Sequence, residues 1–345
     1  MFDTLIRGGS VIDGTGAAPR RADIAIRDGR IVAVGEVEGP AREVIDAAGA
    51  IVTPGFIDVH THYDGQFMWD DRLDPSFSHG VTTAIGGNCG IGFAPAAPEH
   101  RRELIELMEG VEDIPGAVLH EGLDWNWSSF GDYLDRLGER RFAMDVGLQL
   151  THSPLRVFVM GERALNHEGA TADDVAEMTG LLRAAMAAGA LGFSSARLVE
   201  HLSSRGAHVP GTFADDEEVL ALARAMGESG RGVFQIIPKG TVGNAKKMAI
   251  SREARCAEHD RLEAIAAASG RPVIYTALQF DSDPEDVSIM LDASAKANNA
   301  GLRLHPMIGA RPIGIVHMLD GYHVFTMKPS YRAIAHLPPE ERAVA

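Results

Sequence analysis

Two histidines one residue apart, His60 and His62, close the apolar run GFIDV at 55–59. On a strand, residues two apart point to the same side, so the pair can present two imidazoles to one ion. Zinc takes such nitrogens at about 2.0–2.1 Å. A strand end carrying two hydrogen-bonded histidines is the alternative, and His-x-His by itself does not separate the two. A second segment bears on the choice. TTAIGGNCG, residues 82–90, reads as a strand running into a glycine-rich turn that holds Cys89. A thiolate there would be a soft ligand suited to zinc, whereas a free cysteine is often a small buried hydrophobe. The plain reading is the one adopted for Cys256, which falls in a helix-like segment.

Strands and helices must position these side chains. The first fifty residues read as short strands and turns, with Asp28-Gly29 as a hairpin signal. Residues 1–54 are therefore expected to form a small β-rich domain. After Pro54-Gly55, strand-like runs at 55–60, 81–87, 144–151, 190–195, 232–237, 272–279 and 302–308 alternate with helical patterns. The helices are expected near 99–109, 128–138, 172–188, 215–229, 253–269, 284–299 and 329–344. Thr171 and Asp174 have the spacing of a capping box. Asp283-Pro284 reads as an N-cap with proline at the first helical position. The acidic run at 215–218 reads as a helix start whose carboxylates meet the dipole. Strands alternating with helices imply a parallel sheet. The expected fold class is thus α/β, with 55–345 forming a TIM-type (β/α) barrel whose site lies at the C-terminal ends of the strands. Seven strands are evident in the pattern, and the eighth is missing.

The bulk numbers narrow the partners. With 32 basic against 48 acidic residues the formal charge is −16, which argues against nucleic acid and against an anionic membrane surface. Two cysteines cannot form a disulfide framework. No apolar run approaches the roughly 18 residues of a membrane span, and the N-terminus lacks the apolar core of a signal peptide. A cytoplasmic protein with a small-molecule substrate is expected, and a homo-oligomer is compatible with the sequence.

VTPGFIDVHTHYDGQ (52–66), behind a β-rich N-terminal segment, resembles the amidohydrolase superfamily. GGNCGIGFAP (86–95), THSPLR (151–156), GALGFSSA (189–196) and VPGTFADDEEVLALA (209–223) resemble its D-aminoacylase branch, the N-acyl-D-amino-acid deacylases. The resemblance implies one or two Zn²⁺ ions that lower the pKa of water and polarise an amide carbonyl, with an aspartate at the end of the eighth strand as general base. It implies His60, His62 and Cys89 as metal ligands. Asp64 is expected beside the metal or the substrate, with a simple turn aspartate as the alternative. His152 and Arg156 are expected near the substrate, where a guanidinium could hold a carboxylate bidentately; an ion pair within the barrel rim is the alternative. Ser194 and Arg197 could line the pocket. GFSSA lacks the spacing of a serine-hydrolase elbow, so neither Ser194 nor Ser195 is read as a nucleophile.

The sequence departs from the family pattern in two places. Strands five and six, GVFQIIPKG and PVIYTALQFD, contain no histidine, leaving Gln235 and Gln279 as the nearest polar groups and His259 and His305 as remote substitutes. No strand-eight aspartate follows residue 308, so a truncated form of a longer deacylase is expected, in preference to a dimer completing the barrel in trans. Two functions follow as expectations: a hydrolase of linear N-acyl amino acids, or a non-catalytic derivative with a decayed site. A cyclic-amide hydrolase of the dihydroorotase or hydantoinase type ranks lower, because GALGFSS offers no lysine on strand four.

Overall fold

The computed structural model describes residues 1–241, 251–279, 285–309, 325 and 328–344. The chain divides into two compact units: Met1–Asp58 with Asp74–Ala84 and Ala143–Asp145, and Val59–Leu73 with Ile85–Phe142 and Val146–Ala345.

In the first unit, five strands form one sheet: β1 (Phe2–Val11), β2 (Arg20–Arg27), β3 (Arg30–Gly35), β4 (Ala41–Asp46) and β5 (Ile51–Val52). The order is β3-β2-β1-β4, with β5 also pairing β1. Arg27 pairs with Arg30 across the β2–β3 turn. Asp28 and Gly29 between them take φ of 52° and 69°, the left-handed pair that a two-residue hairpin needs. Leu5 and Ala25 pack on one face with Val37, while Val11, Ala22 and Ile24 form a second cluster.

All seven strand runs expected beyond residue 54 contain strands. They are β6 (Phe56–Asp58), β7 (Val81–Gly86), β8 (Asp145–Leu148), β9 (Leu150–Thr151), β10 (Gly192–Ala196), β11 (Val233–Ile237), β12 (Val273–Thr276) and β13 (Leu304–Met307). The run at 144–151 is split in two. Gln149 breaks it by donating its backbone N–H to the Gly86 carbonyl and its side-chain amide to Asn88. β8 then closes a sheet ordered β6-β7-β8, and β9 opens a second sheet ordered β9-β10-β11-β12-β13. Every pairing in the second sheet is parallel, as strands joined through helices must be. Helices Ala172–Ala188, Asp216–Gly227, Arg252–Ser269 and Asp286–Asn299 supply the crossovers. The Thr171–Asp174 capping box forms with both reciprocal hydrogen bonds. The Asp283-Pro284 cap lies outside the described residues.

Three local differences have plain causes. A helix absent from the expected set, His152–Met160, starts within THSPLR directly after β9. A short helix, Gly116–Gly122, follows helix Arg101–Glu112. The single helix expected at 329–344 is two short ones, Pro329–Ile334 and Pro339–Arg342, because the Pro338-Pro339 pair removes donors and disfavours α geometry at the preceding residue. Among the described residues no helix is long and apolar enough to cross a membrane.

One close approach fixes a segment used below. Gly110 lies in the last turn of helix Arg101–Glu112, and a Cβ there would stand 2.2 Å from the backbone of Ser203 and Ser204. Ser204 N–H donates to the Glu106 carbonyl at 2.9 Å. Alanine is favoured over glycine in a helix by about 1 kcal/mol, but here the added methyl has no room. Gly110→Ala is expected to destabilise by roughly 1–3 kcal/mol, read as a lowered urea midpoint. A raised midpoint would show that intrinsic helix propensity outweighs this packing.

Candidate metal centre

The chain leaves β6 at Asp58 and bends at His60. Thr61 ties it to the neighbouring strand: its N–H and its hydroxyl both donate to the Ile85 carbonyl, at 3.1 and 2.9 Å. Thr61 thus anchors the segment between the two histidines. Their rings lie 5.4 Å apart, edge to face.

Cys89 arrives on the turn after β7. Gly87 and Gly90 flank Asn88 and Cys89, and three of the four have positive φ: 72° at Gly87, 55° at Cys89 and 71° at Gly90. At Gly87 a Cβ would fall 2.1 Å from the Gln149 carbonyl oxygen, so only glycine fits. A non-glycine residue in the left-handed region is costly, and Cys89 is held there by its surroundings. Its N–H donates to Gln235 Oε1 at 3.0 Å, and the Gly90 N–H donates to Ser194 Oγ at 3.1 Å. The Asn88 amide donates to the carbonyls of Thr61 and Ile85. Asp64 accepts the Gly87 N–H at 2.9 Å, and Tyr133 donates to the Asp64 backbone carbonyl.

The result is a tight group of donors. Cys89 Sγ lies 3.1 Å from His60 Nε2 and 3.4 Å from His62 Nε2. One donor atom from each of the three residues falls within 4.8 Å of the others. Metal–ligand lengths of about 2.0–2.1 Å for nitrogen and 2.3 Å for sulfur imply tetrahedral edges of about 3.3–3.6 Å. The two sulfur–nitrogen distances therefore lie near the spacing a small divalent cation requires, and the donor chemistry, two imidazoles and a thiol, suits zinc.

Burial drives every group here toward its neutral form. It lowers His60 to about 3, helped by His62, and His62 to about 4. It pushes the Cys89 thiol well above its usual value and raises Asp64 to about 7. Two further residues belong to this neighbourhood. Glu112, the last residue of helix Arg101–Glu112, places Oε1 at 3.2 Å from His62 Nε2, and burial raises it to about 8. His201 is lowered to about 4 by burial and by His62 and His60. Neither was singled out in the sequence. A signal for Glu112 existed: with Leu104 and Met108 it continues a buried stripe at i, i+4, i+8, where a carboxylate calls for a partner.

The other candidates sit elsewhere. His152, Arg156, Ser194 and Asp64 are at most 2% exposed. His152 Nδ1 meets Ser195 Oγ at 2.9 Å, His152 Nε2 meets Glu218 Oε1 at 2.7 Å, and Arg156 pairs with the other Glu218 oxygen. Arg156 is thus in the buried ion pair that the sequence left open as its alternative. Arg197 pairs with Glu258 at 3.4 Å and lines a cavity of about 250 Å³ with Thr212, Asp215, Asp216, Lys239 and Arg261. Gln235 is committed to the Cys89 N–H, and Gln279 is exposed. His259 bonds Ser294 and Glu263, His305 is exposed on β13, and Cys256 is exposed.

A model of the amidohydrolase family matches residues 43–319, and the chain belongs to that family. D-aminoacylase of Alcaligenes xylosoxydans xylosoxydans is 34% identical over 234 residues, covering 68% of this chain and 43% of that protein. A solved D-aminoacylase, described with a binuclear metal centre, superposes with a TM-score of 0.69 at 30% identity, covering 89% of this chain and 58% of that one. N-acyl-D-glutamate deacylase from Bordetella bronchiseptica, complexed with zinc and a phosphonate mimic of the tetrahedral intermediate, gives 0.70 at 30% identity, covering 88% and 58%. These relatives support the D-aminoacylase branch. The chain spans less than half of the curated relative and under three fifths of the solved ones.

The Glu218 network gives a sharp test of burial electrostatics. Burial alone would raise this carboxyl, but the hydrogen bonds and charges of His152 and Arg156 outweigh it and hold it at about 2, against 4.5 ordinarily. Glu218→Gln strands the Arg156 charge and is expected to cost roughly 3–5 kcal/mol at pH 7. A carboxyl depressed on folding stabilises fully above its unfolded pKa and loses that contribution as pH falls through the folded value. The gap in unfolding free energy between wild type and variant should therefore close as pH falls from 4.5 toward 2. A gap constant across that window would show that Glu218 carries no such depressed pKa.

Proposed function

We propose that this chain is built as a metal-dependent hydrolase of the linear amide bond in N-acyl amino acids, with a preference for the D configuration. The observation that carries this is the His60–His62–Cys89 group, two half-buried imidazoles and a buried thiol with donor atoms within 4.8 Å of one another. A bound Zn²⁺, as one or two ions, would activate water and polarise the acyl carbonyl. The chain's own part is to hold the donors. The Gly87–Gly90 turn fixes Cys89, and Thr61 fixes the two histidines. Asp64 and Ser194 position the turn, while His152 and Arg156, through Glu218 and Ser195, brace strand β10. Their burial makes them positioning residues in this reading, and Arg197, at an open cavity, is the one retained as a substrate contact. The five-stranded parallel sheet is read as an arc of a TIM-type barrel over 55–345, with 1–54 as a β-rich, incomplete sandwich-like domain. A cytoplasmic setting, a small-molecule N-acyl amino acid as partner and a homo-oligomeric state complete the proposal.

One observation favours a second reading, a non-catalytic descendant of such an enzyme. Strands β11 and β12 bring no imidazole, and Gln235 is spent on the Cys89 backbone.

Metal analysis of the purified chain tests the ligand assignment: tightly held metal is expected in wild type and lost in His60→Ala/His62→Ala. Equal content in both would refute it. Zinc-supplemented hydrolysis of N-acetyl and N-formyl amino acids, both enantiomers, tests the activity. Turnover abolished by chelator and restored by zinc supports the hydrolase, and none at full zinc loading favours the non-catalytic reading.

A further inference from the structure

His60, His62 and Cys89 offer three donors, and among the described residues β11 and β12 add no imidazole. The structure brings a different group to the same place. We propose that Glu112 is a further ligand of the divalent cation held by His60, His62 and Cys89, a carboxylate from a helix end serving where a strand-borne histidine is lacking. This rests on the metal site proposed above.

Which nitrogen Glu112 approaches is the first argument. A carboxylate that merely orients a metal-bound histidine takes the ring N–H remote from the metal. Glu112 Oε1 instead stands 3.2 Å from His62 Nε2, the same nitrogen that faces Cys89 Sγ at 3.4 Å. Nitrogen and carboxylate oxygen, each about 2.0–2.2 Å from zinc, subtend a tetrahedral edge of about 3.3–3.5 Å. The Glu112 carboxylate also contacts the Cys89 thiol. It therefore meets His62 at ligand-to-ligand spacing and is also hydrogen-bonded to Cys89.

Charge gives the second argument. Glu112, its side chain 20% exposed, has no Lys or Arg counter-charge among the described residues; its one ion-pairing partner there is His62. An unpaired buried carboxylate is costly, and this one sits at a helix C-terminus, whose dipole already disfavours negative charge. A dication removes the conflict. With Cys89 as thiolate and Glu112 as carboxylate, two negative charges balance the ion, and the imidazoles remain neutral, as burial requires. Placement gives the third argument. Helix Arg101–Glu112 stops at Glu112 because Asp113 turns into the left-handed region at φ 54°, and the Gly110 contact with Ser203–Ser204 locks that end. The carboxylate is thus presented by a fixed helix terminus.

The test uses the full chain loaded with Co²⁺ as a spectroscopic stand-in for Zn²⁺, with affinity from competition titration. Glu112→Gln, nearly isosteric, is expected to weaken Co²⁺ and Zn²⁺ about 100-fold, at or beyond the upper end for residues that only support a ligand, and to change the Co²⁺ ligand-field bands. Glu121→Gln, which removes a charge from an exposed position away from the helix end that carries Glu112, should leave both unchanged. Cys89→Ser should abolish the sulfur-to-cobalt charge-transfer band. Wild-type affinity and spectrum in Glu112→Gln, with the Cys89→Ser band lost, would overturn the Glu112 assignment and leave the three-donor site standing. No Co²⁺ binding by wild type would overturn both. Should Glu112→Gln not fold, Glu112→Asp decides: a shifted ligand-field spectrum supports ligation and an identical one refutes it.

Discussion

Everything at the site depends on the turn from Gly87 to Gly90. Its backbone passes so near the Gln149 carbonyl that a side chain at Gly87 would collide, and at Gly90 a Cβ would sit tightly, 3.1 Å from the backbone of Ser195 and Ala196. That close passage puts Cys89 between the two imidazoles and forces it into a left-handed conformation. The strain is tolerated because the turn is tied from several directions. Gln235 and Ser194 reach it from two parallel strands, Asp64 from the segment after the histidines, and Asn88 ties it back to Thr61. Strained backbone persists only where the surroundings over-determine it, and such surroundings are present.

The same packing sets the electrostatics. With no cation, burial favours neutral imidazoles, a neutral thiol and protonated carboxyls at Asp64 and Glu112. A group of potential ligands held uncharged, close together and away from water has little to lose and much to gain from a divalent ion, since coordination replaces missing solvation. Metal binding to such a group releases protons.

Next to it lies a second buried polar system that does no ligand work. Ser195, His152, Glu218 and Arg156 form a continuous chain. The contacts imitate a nucleophile–base–acid series, with Ser195 and His152 at most 1% exposed. It anchors helix Asp216–Gly227 and helix His152–Met160 to β10, the strand whose Ser194 holds Gly90. Glu218 shows how a local signal can conceal a tertiary one. Its place in an acidic run suited a helix start, and it does lie in the first turn, yet its carboxylate is consumed by two residues more than sixty positions earlier.

The sequence by itself determined the periodic and the local. Period-two and helical hydrophobic patterns located all seven strand runs beyond residue 54 and the crossover helices, since burial of one face enforces those periods. The Thr171 capping box and the Asp28-Gly29 hairpin were legible because their chemistry is complete within four residues. The His60/His62 pair was legible as two imidazoles one residue apart, although both lie just beyond the end of β6. Only the tertiary structure decided what depended on distant segments. It joined Cys89 to the histidines at bonding distance, assigned Gln235 to a backbone N–H, turned Arg156 inward to Glu218, and brought Glu112 to His62 across fifty residues of chain. A charged side chain reads as solvent-facing until packing closes over it, and no local pattern records which chain segments will do the closing.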